Sequence, residues 1–114
     1  MGVLLGQRGI HPKMGDWNLP AGFVDVTDTT IQGAAVRELF EETGFVVDPK
    51  KVAIDHSFCD GRVMLFFCKA REVIQEADLH KFVINHECPA VRVAWGPEKL
   101  CFDSHSRALA AWFG

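Results

Sequence analysis

A helical segment with three clustered glutamates constrains this chain more than any other stretch. Residues 37–45 read Arg-Glu-Leu-Phe-Glu-Glu-Thr-Gly-Phe, and Gly44 is typical of the position just after a helix. At about 100° per residue, Glu41 and Glu42 lie about 60° to one side and about 40° to the other side of Glu38. Their repulsion costs roughly a few tenths of a kcal/mol per pair unless a positive charge lies among them. The stripe therefore indicates a cation site, with a solvated acidic helix face as the alternative.

A second segment lies upstream, where residues 17–25 read Trp-Asn-Leu-Pro-Ala-Gly-Phe-Val-Asp. Together the two segments resemble the signature of the Nudix hydrolases. That signature runs Gly, five residues, Glu, seven residues and then Arg-Glu-apolar-x-Glu-Glu-x-Gly-apolar. From Arg37 to Phe45 the chain matches it at every specified position. The resemblance implies an α/β fold, a Nudix-type α/β/α sandwich with a mixed β-sheet, and hydrolysis of phosphoanhydride bonds.

The loop between the two segments departs from the signature. It is one residue longer between Gly22 and Arg37, and it contains no glutamate. Asp28 takes the glutamate position if Gly22 sets the register, and Thr29 takes it if the helix does. Thr29 and Gln32 form a capping-box pattern, which favours Thr29 as the N-cap and Asp28 as the acidic substitute. We expect the missing glutamate to weaken activity more than to abolish it.

The resemblance also implies a set of metal ligands and catalytic residues. Glu38, Glu41 and Glu42 are expected to bind one to three Mg²⁺ or Mn²⁺ ions, and the backbone carbonyl of Ala21 is a further candidate ligand. Mg²⁺ prefers oxygen ligands and leaves several positions to water and substrate, so carboxylates suit it. Glu41 and Arg37 are expected to be catalytic. Arg37 would orient a glutamate through a charge-assisted hydrogen bond, with a surface ion pair as the alternative.

Other residues are candidates for proton transfer and substrate binding. Glu87 lies where several Nudix enzymes carry a loop glutamate that acts as general base or extra metal ligand, and a solvated loop carboxylate is the equally weighted alternative. The expected substrate contacts are Trp17, Gly22 and Asp28. Gly22 permits close approach between loop and helix. Trp17 could stack on a base, although packing in the core is the favoured interpretation.

Composition argues against several classes of protein. With 114 residues, 48% of them hydrophobic, we expect one Nudix domain over residues 1–114. The net charge of -3 gives no electrostatic reason to expect a nucleic acid polymer or a membrane as partner. The chain has no apolar run of membrane-spanning length and no signal-peptide features, so a cytoplasmic location is expected. The widely spaced cysteines favour reduced thiols over a disulfide or a zinc site.

Periodicity and turn residues predict the order of the elements. Helices are expected over residues 30–43 and 104–113, the second capped by Asp103 or Ser104, and Asp60-Gly61 predicts a two-residue hairpin. In the Nudix family another strand normally precedes residues 3–7. We therefore expect either a shortened family member or a homodimer that completes the sheet edge. Strands are predicted over residues 3–7, 23–26, 52–58, 62–70 and 91–95, with 82–85 as a weaker candidate.

The leading hypothesis is a Mg²⁺-dependent pyrophosphohydrolase. It would cleave a nucleoside diphosphate linked to another group by attack of water on phosphorus, and its candidate substrates are ADP-ribose, NADH and nucleoside triphosphates. The alternative is a Nudix-fold module that binds nucleotide and turns it over slowly or not at all. The missing loop glutamate favours the module, and the complete match over residues 37–45 favours the hydrolase.

Overall fold

An antiparallel sheet is built around the first strand of the chain. The computed structural model describes residues 2–70 and 74–114. In chain order its elements are β1 (Val3–Gln7), β2 (Trp17–Asn18), α1 (Ile31–Thr43), a 3₁₀ turn (Pro49–Lys51), β3 (Val52–Asp60), β4 (Val63–Ala70), a second 3₁₀ turn (Glu76–Lys81), β5 (Val91–Ala94) and α2 (Asp103–Phe113).

The strands form two sheets. In the first, β1 lies between β2 and β5 and pairs antiparallel with both, and in the second β3 pairs antiparallel with β4. The α/β fold expected from the sequence is confirmed. A mixed sheet was expected, but all strand pairs among the described residues are antiparallel.

The main core lies between the first sheet and α2. Leu5 at the middle of β1 is fully buried, and Ala94, Leu100 and Leu109 complete the cluster around it. Leu5 lies on the central strand, so its side chain has strands on both sides and α2 above it. This core holds β1 and β2 rigidly at the start of the loop that reaches the helix glutamates.

Helix α1 begins and ends at residues whose chemistry explains its length. Thr30 is the N-cap, and its hydroxyl accepts a hydrogen bond from the Gly33 N–H at 2.9 Å. The expectation that Thr29 caps the helix is therefore wrong by one residue. Gly44 ends the helix as predicted, with a left-handed φ of 81° that glycine adopts without steric cost.

The hairpin β3–β4 is longer and turns one residue later than predicted. Strand β3 runs through Asp60, and the turn residues are Gly61 and Arg62 instead of Asp60-Gly61. Gly61 has a φ of 63°, which explains why the turn centres on it.

Two segments predicted as strands are not strands. In residues 23–26, the Asp25 carboxylate accepts the Thr27 N–H, and the Asp28 carboxylate accepts the Asp25 N–H. These local bonds form a turn in place of hydrogen bonds to a neighbouring strand. In residues 82–85, the Val83 N–H donates to the Thr43 carbonyl at the end of α1, which prevents strand pairing. The N-cap of α2 is Phe102, without a side-chain cap, instead of Asp103 or Ser104.

Two further observations concern thiols and membranes. All four cysteines are free, with Cys88 and Cys101 buried, Cys68 half-buried and Cys59 exposed. In the part of the chain that the structure describes, no helix has the length and apolar character needed to cross a bilayer.

Candidate functional site

Arg37 organises the polar side chains along α1. Its Nε and Nη2 atoms donate to the two carboxylate oxygens of Asp28 at 3.0 and 2.8 Å. Its Nη1 atom donates to Glu38 at 2.9 Å and to Glu41 at 3.2 Å, and Nη2 also donates to the Phe23 carbonyl at 2.9 Å. Each of the five N–H groups of the guanidinium therefore has an acceptor, so Arg37 has a single well-defined orientation.

Asp28, one of two aspartates in the long loop, accepts hydrogen bonds from Arg37 on both carboxylate oxygens. Its side chain is only 7% exposed, and its Oδ2 also accepts the Asp25 N–H at 2.7 Å. The bonds from Arg37, and next the bond from Asp25, hold the pKa of Asp28 below its usual value. Asp28 therefore ties the loop to the helix through Arg37. Its expected contact with substrate stays a prediction.

Gly22 lies directly against the Glu38 carboxylate. A Cβ atom added at Gly22 would collide with all three atoms of that carboxyl group, so any larger residue there would force the Glu38 side chain or the loop to move. The Glu38 side chain is 17% exposed. Burial raises its pKa, the bond from Arg37 lowers it, and the nearby charges of Glu41 and Glu87 raise it further. The loop and the helix thus meet at a carboxylate, and the expected contact of Gly22 with substrate stays a prediction.

Glu42 is the most perturbed carboxylate of the site. Burial raises its pKa to about 7, a hydrogen bond from the Ala21 N–H opposes this, and the charges of Glu38 and Glu87 raise it further. Arg8 is the cation that lowers its pKa. Ala21 therefore contacts Glu42 through its N–H group, next to the carbonyl that was predicted as a metal ligand.

Glu87 reaches the same cluster from a different part of the chain. Its charge acts on both Glu38 and Glu42, although its own side chain is 54% exposed. The Gly9 N–H donates to the Glu87 carbonyl at 2.9 Å, which fixes the loop beside the end of β1. The structure thus brings Glu87 towards the helix glutamates, where a general base or an additional ligand was expected.

Trp17 takes the position that the sequence favoured. It packs against the core cluster around Leu5, and the Arg92 guanidinium lies over its ring, 4.6 Å from the centroid. Arg92 is held there by an ion pair with Glu98. Core packing accounts for Trp17, and base stacking by this residue stays a prediction.

The donor chemistry of the cluster fits a divalent cation. Glu38, Glu42 and Glu87 can supply oxygen ligands, which a hard divalent cation prefers. Burial is the main reason that the pKa values of Glu38 and Glu42 are raised, and the neighbouring carboxylates raise them further. Among residues 2–70 and 74–114, no three His, Cys, Asp or Glu side chains are arranged as a formed metal site. Glu38 and Glu41 bond Arg37, and Glu42 bonds the Ala21 N–H, so a bound ion would share these carboxylates with hydrogen-bond donors.

Sequence reasoning missed two residues of the site. Arg8 lies near enough to Glu42 to affect its pKa, and its guanidinium also lies 5.4 Å from the centre of the Phe102 ring. Asn85 joins the Glu87 loop to α1 by hydrogen bonds to both. The pattern Asn-x-Glu could have indicated a side-chain turn within the loop. No sequence signal indicates the bond from Asn85 to a helix 43 residues away.

Comparison with known proteins identifies the family. The model of the NUDIX domain matches residues 1–98, so the chain belongs to the Nudix family. Comparison with curated proteins gives no match. A NUDIX hydrolase from Nitrosomonas europaea superposes with a TM-score of 0.67 at 28% identity, over 98% of this chain and 62% of that one.

Two further solved structures are similar. A MutT/nudix family protein from Enterococcus faecalis has a TM-score of 0.64 at 27% identity, over 81% of this chain and 36% of that one. The NUDIX domain of Shewanella oneidensis NrtR, crystallised with ADP ribose, has a TM-score of 0.50 at 23% identity, over 81% of this chain and 60% of that one. This chain therefore spans between about a third and two thirds of the length of these relatives.

Proposed function

We propose that this member of the Nudix family is a Mg²⁺-dependent pyrophosphohydrolase that cleaves a nucleoside diphosphate linked to another group. The observation that carries the proposal is the proximity of Glu38, Glu42 and Glu87 beside the Gly22 loop, where their negative charges act on one another. A site with surplus carboxylates suits a cation that in turn binds phosphate oxygens.

Each residue has a defined part in the proposed reaction. Glu38, Glu42 and the Ala21 carbonyl would hold Mg²⁺ or Mn²⁺, with Glu41 as a further ligand. When bound, the ion would lower the pKa of water and polarise the phosphoryl group. Arg37 orients Glu38 and Glu41 through its Nη1 atom.

The chemical step is an attack of water on phosphorus. A new oxygen–phosphorus bond forms, the anhydride bond breaks, and the second phosphate leaves with the bonding electrons. Glu87 would take the proton of the attacking water, because its charge acts on both Glu38 and Glu42 and its side chain is exposed enough to exchange that proton with solvent.

The substrate class follows from phosphate chemistry and family membership. ADP-ribose, NADH and nucleoside triphosphates all carry the anhydride that such a site cleaves. A Nudix domain crystallised with ADP ribose has the same fold, which makes ADP-ribose the first substrate to test.

We retain as proposals a single domain over residues 1–114, a cytoplasmic location, a possible homodimer, and the absence of nucleic acid or membrane partners.

The test is a substrate panel with matched variants. Purified protein with Mg²⁺ is incubated with ADP-ribose, NADH, nucleoside triphosphates and dinucleoside polyphosphates, and product release is followed by chromatography. Glu38→Gln and Glu42→Gln should each lower kcat by about 100-fold or more. Glu76→Gln, at an exposed glutamate in a 3₁₀ turn, should match wild type. Equal turnover by all four proteins would show that the site is wrongly assigned.

One observation favours a second candidate function, a nucleotide-binding module with slow turnover. The loop contains no glutamate, and Asp28, which takes the glutamate position if Gly22 sets the register, has both carboxylate oxygens bonded by Arg37. Isothermal titration separates the candidates. Tight nucleotide binding without product release over many hours supports the module, whereas turnover in ¹⁸O-labelled water with label in one product phosphate supports the hydrolase.

A further inference from the structure

The side chain of Asn85 connects the loop that carries Glu87 with the last turn of α1. Its Nδ2 group donates to the Glu42 carbonyl at 2.8 Å and to the Val83 carbonyl at 3.1 Å. Its Oδ1 atom accepts the Glu87 N–H at 3.1 Å and the Cys88 N–H at 3.0 Å. The amide thus uses two donors and two acceptor positions, which is its full hydrogen-bonding capacity.

Only one orientation of the amide satisfies these partners. Two carbonyl oxygens lie on one side of Asn85 and two N–H groups lie on the other, so reversing the amide would oppose like groups on both sides. The bonds link the loop of residues 82–90 to Glu42 in α1, which precedes Asn85 by 43 positions. Asn85 is therefore a cross-link between distant segments, in addition to a local turn residue.

The helix end explains why a donor is needed there. The last carbonyl groups of a helix have no intrahelical partner and carry its negative dipole. At the end of α1, the Thr43 carbonyl accepts the Val83 N–H at 3.1 Å and the Glu42 carbonyl accepts Asn85. The segment from Val83 to Glu87 thus caps the helix, and Glu42 belongs to both the cap and the carboxylate cluster.

We propose that Asn85 is a positioning residue that holds Glu87 against the glutamates of α1 and so sets the third carboxylate of the site. The same side chain bonds the backbone of Glu42 at one end and the backbone of Glu87 at the other. A second tie, from the Gly9 N–H to the Glu87 carbonyl at 2.9 Å, restrains the loop from the opposite side. The inference rests on the proposed metal-dependent function of this site.

The conservative substitution Asn85→Asp separates the two halves of this link. Aspartate keeps the acceptor for Glu87 and Cys88 but loses both N–H donors, and it sets a carboxylate oxygen against the Glu42 carbonyl at the negative end of the helix. The loop should keep its turn and lose its contact with α1. Glu87 would then stay chemically intact but move away from the cluster.

The experiment is a double-mutant cycle read by calorimetric Mn²⁺ binding and by kcat. Asn85→Asp and Glu87→Ala should each weaken Mn²⁺ binding by about 10-fold and lower kcat by about 10-fold to 100-fold. The double variant should be no worse than Glu87→Ala alone, because Asn85 bonds only the backbone of Glu42 and is proposed to affect the bound ion through the position of Glu87. Thr43→Val is the matched control. It removes the hydroxyl that donates to the Leu39 carbonyl and accepts the Phe45 N–H at the same helix end, so it should lower Tm without changing Mn²⁺ affinity.

The outcomes separate this inference from the proposed function. Wild-type Mn²⁺ affinity in Asn85→Asp, or additive losses in the double variant, would overturn the positioning role while leaving the hydrolase proposal intact. An equal effect of Thr43→Val would also overturn it, because general loosening of the helix end would then explain the loss. If wild type binds Mn²⁺ with the expected coupling but releases no product, the inference stands and the hydrolase proposal fails. If wild type binds no Mn²⁺, both fail.

Discussion

Replacement of Gly22 by alanine should disable the site through a single methyl group. The added Cβ would lie closer than 3.0 Å to the Cδ and both carboxylate oxygens of Glu38. Non-bonded heavy atoms prefer separations of about 3.5 Å or more. Because all three carboxyl atoms are affected, rotation of the carboxylate alone cannot relieve the overlap. The Glu38 side chain or the loop must move by about 1 Å.

The size of the effect follows from that displacement. A misplacement of about 1 Å in a catalytic group can cost about 100-fold in rate, which corresponds to roughly 2.7 kcal/mol on the activation barrier. Gly22 does not have a left-handed φ, so alanine adds no intrinsic backbone strain there. We therefore expect Gly22→Ala to lower kcat about 100-fold and to weaken Mn²⁺ binding.

The assay is steady-state hydrolysis of the best substrate from the panel, with Mn²⁺ calorimetry and thermal melting on the same samples. Gly96→Ala is the matched control, because a Cβ at Gly96 meets nothing within 4 Å and its φ is also not left-handed. It should keep wild-type kcat. A Gly22→Ala protein with wild-type kcat and Mn²⁺ affinity would refute the close contact between the loop and Glu38.

Three further predictions test the electrostatics of the chain. Arg37→Lys should lower kcat by about 10-fold to 100-fold, because the lysine ammonium has three donors where the Arg37 guanidinium uses five. The control is Arg107→Lys, at a side chain that is 76% exposed, and it should match wild type in the same assay. Glu42→Gln should raise the Tm of metal-free protein at pH 8. Burial raises the pKa of Glu42 to about 7, so the ionised carboxylate destabilises the folded protein above that pH and glutamine removes this cost. An unchanged or lower Tm would contradict this prediction. His105 is 7% exposed, and burial lowers its pKa from 6.5 to about 4, so the unfolded chain takes up a proton in this range that the folded protein does not. The stability of wild type relative to His105→Phe should therefore fall by about 2 kcal/mol between pH 7.5 and pH 4.5 in urea unfolding, and parallel pH profiles for the two proteins would contradict the assignment.

The sequence predicted the helix of the site well because its signals are local. The carboxylate stripe depends only on helical periodicity, and Gly44 ends α1 because a left-handed residue is needed there. The N-cap was misassigned by one residue because Thr29 and Thr30 are chemically alike, and only the observed bond from the Gly33 N–H to Thr30 distinguishes them. The strand expected over residues 23–26 failed because Asp side chains can satisfy the backbone locally.

Family membership and the identity of the helix glutamates were determined by the sequence alone, since each depends on residue types at a fixed spacing along one helix and one turn. Tertiary structure decided which partners those glutamates have. Arg37 bonds Asp28 across the loop, the Gly22 backbone touches Glu38, and Asn85 brings Glu87 to the helix. The physical reason is that hydrogen bonds and Coulomb interactions depend on distance in space, whereas a spacing in sequence reports distance only within a single helix or strand.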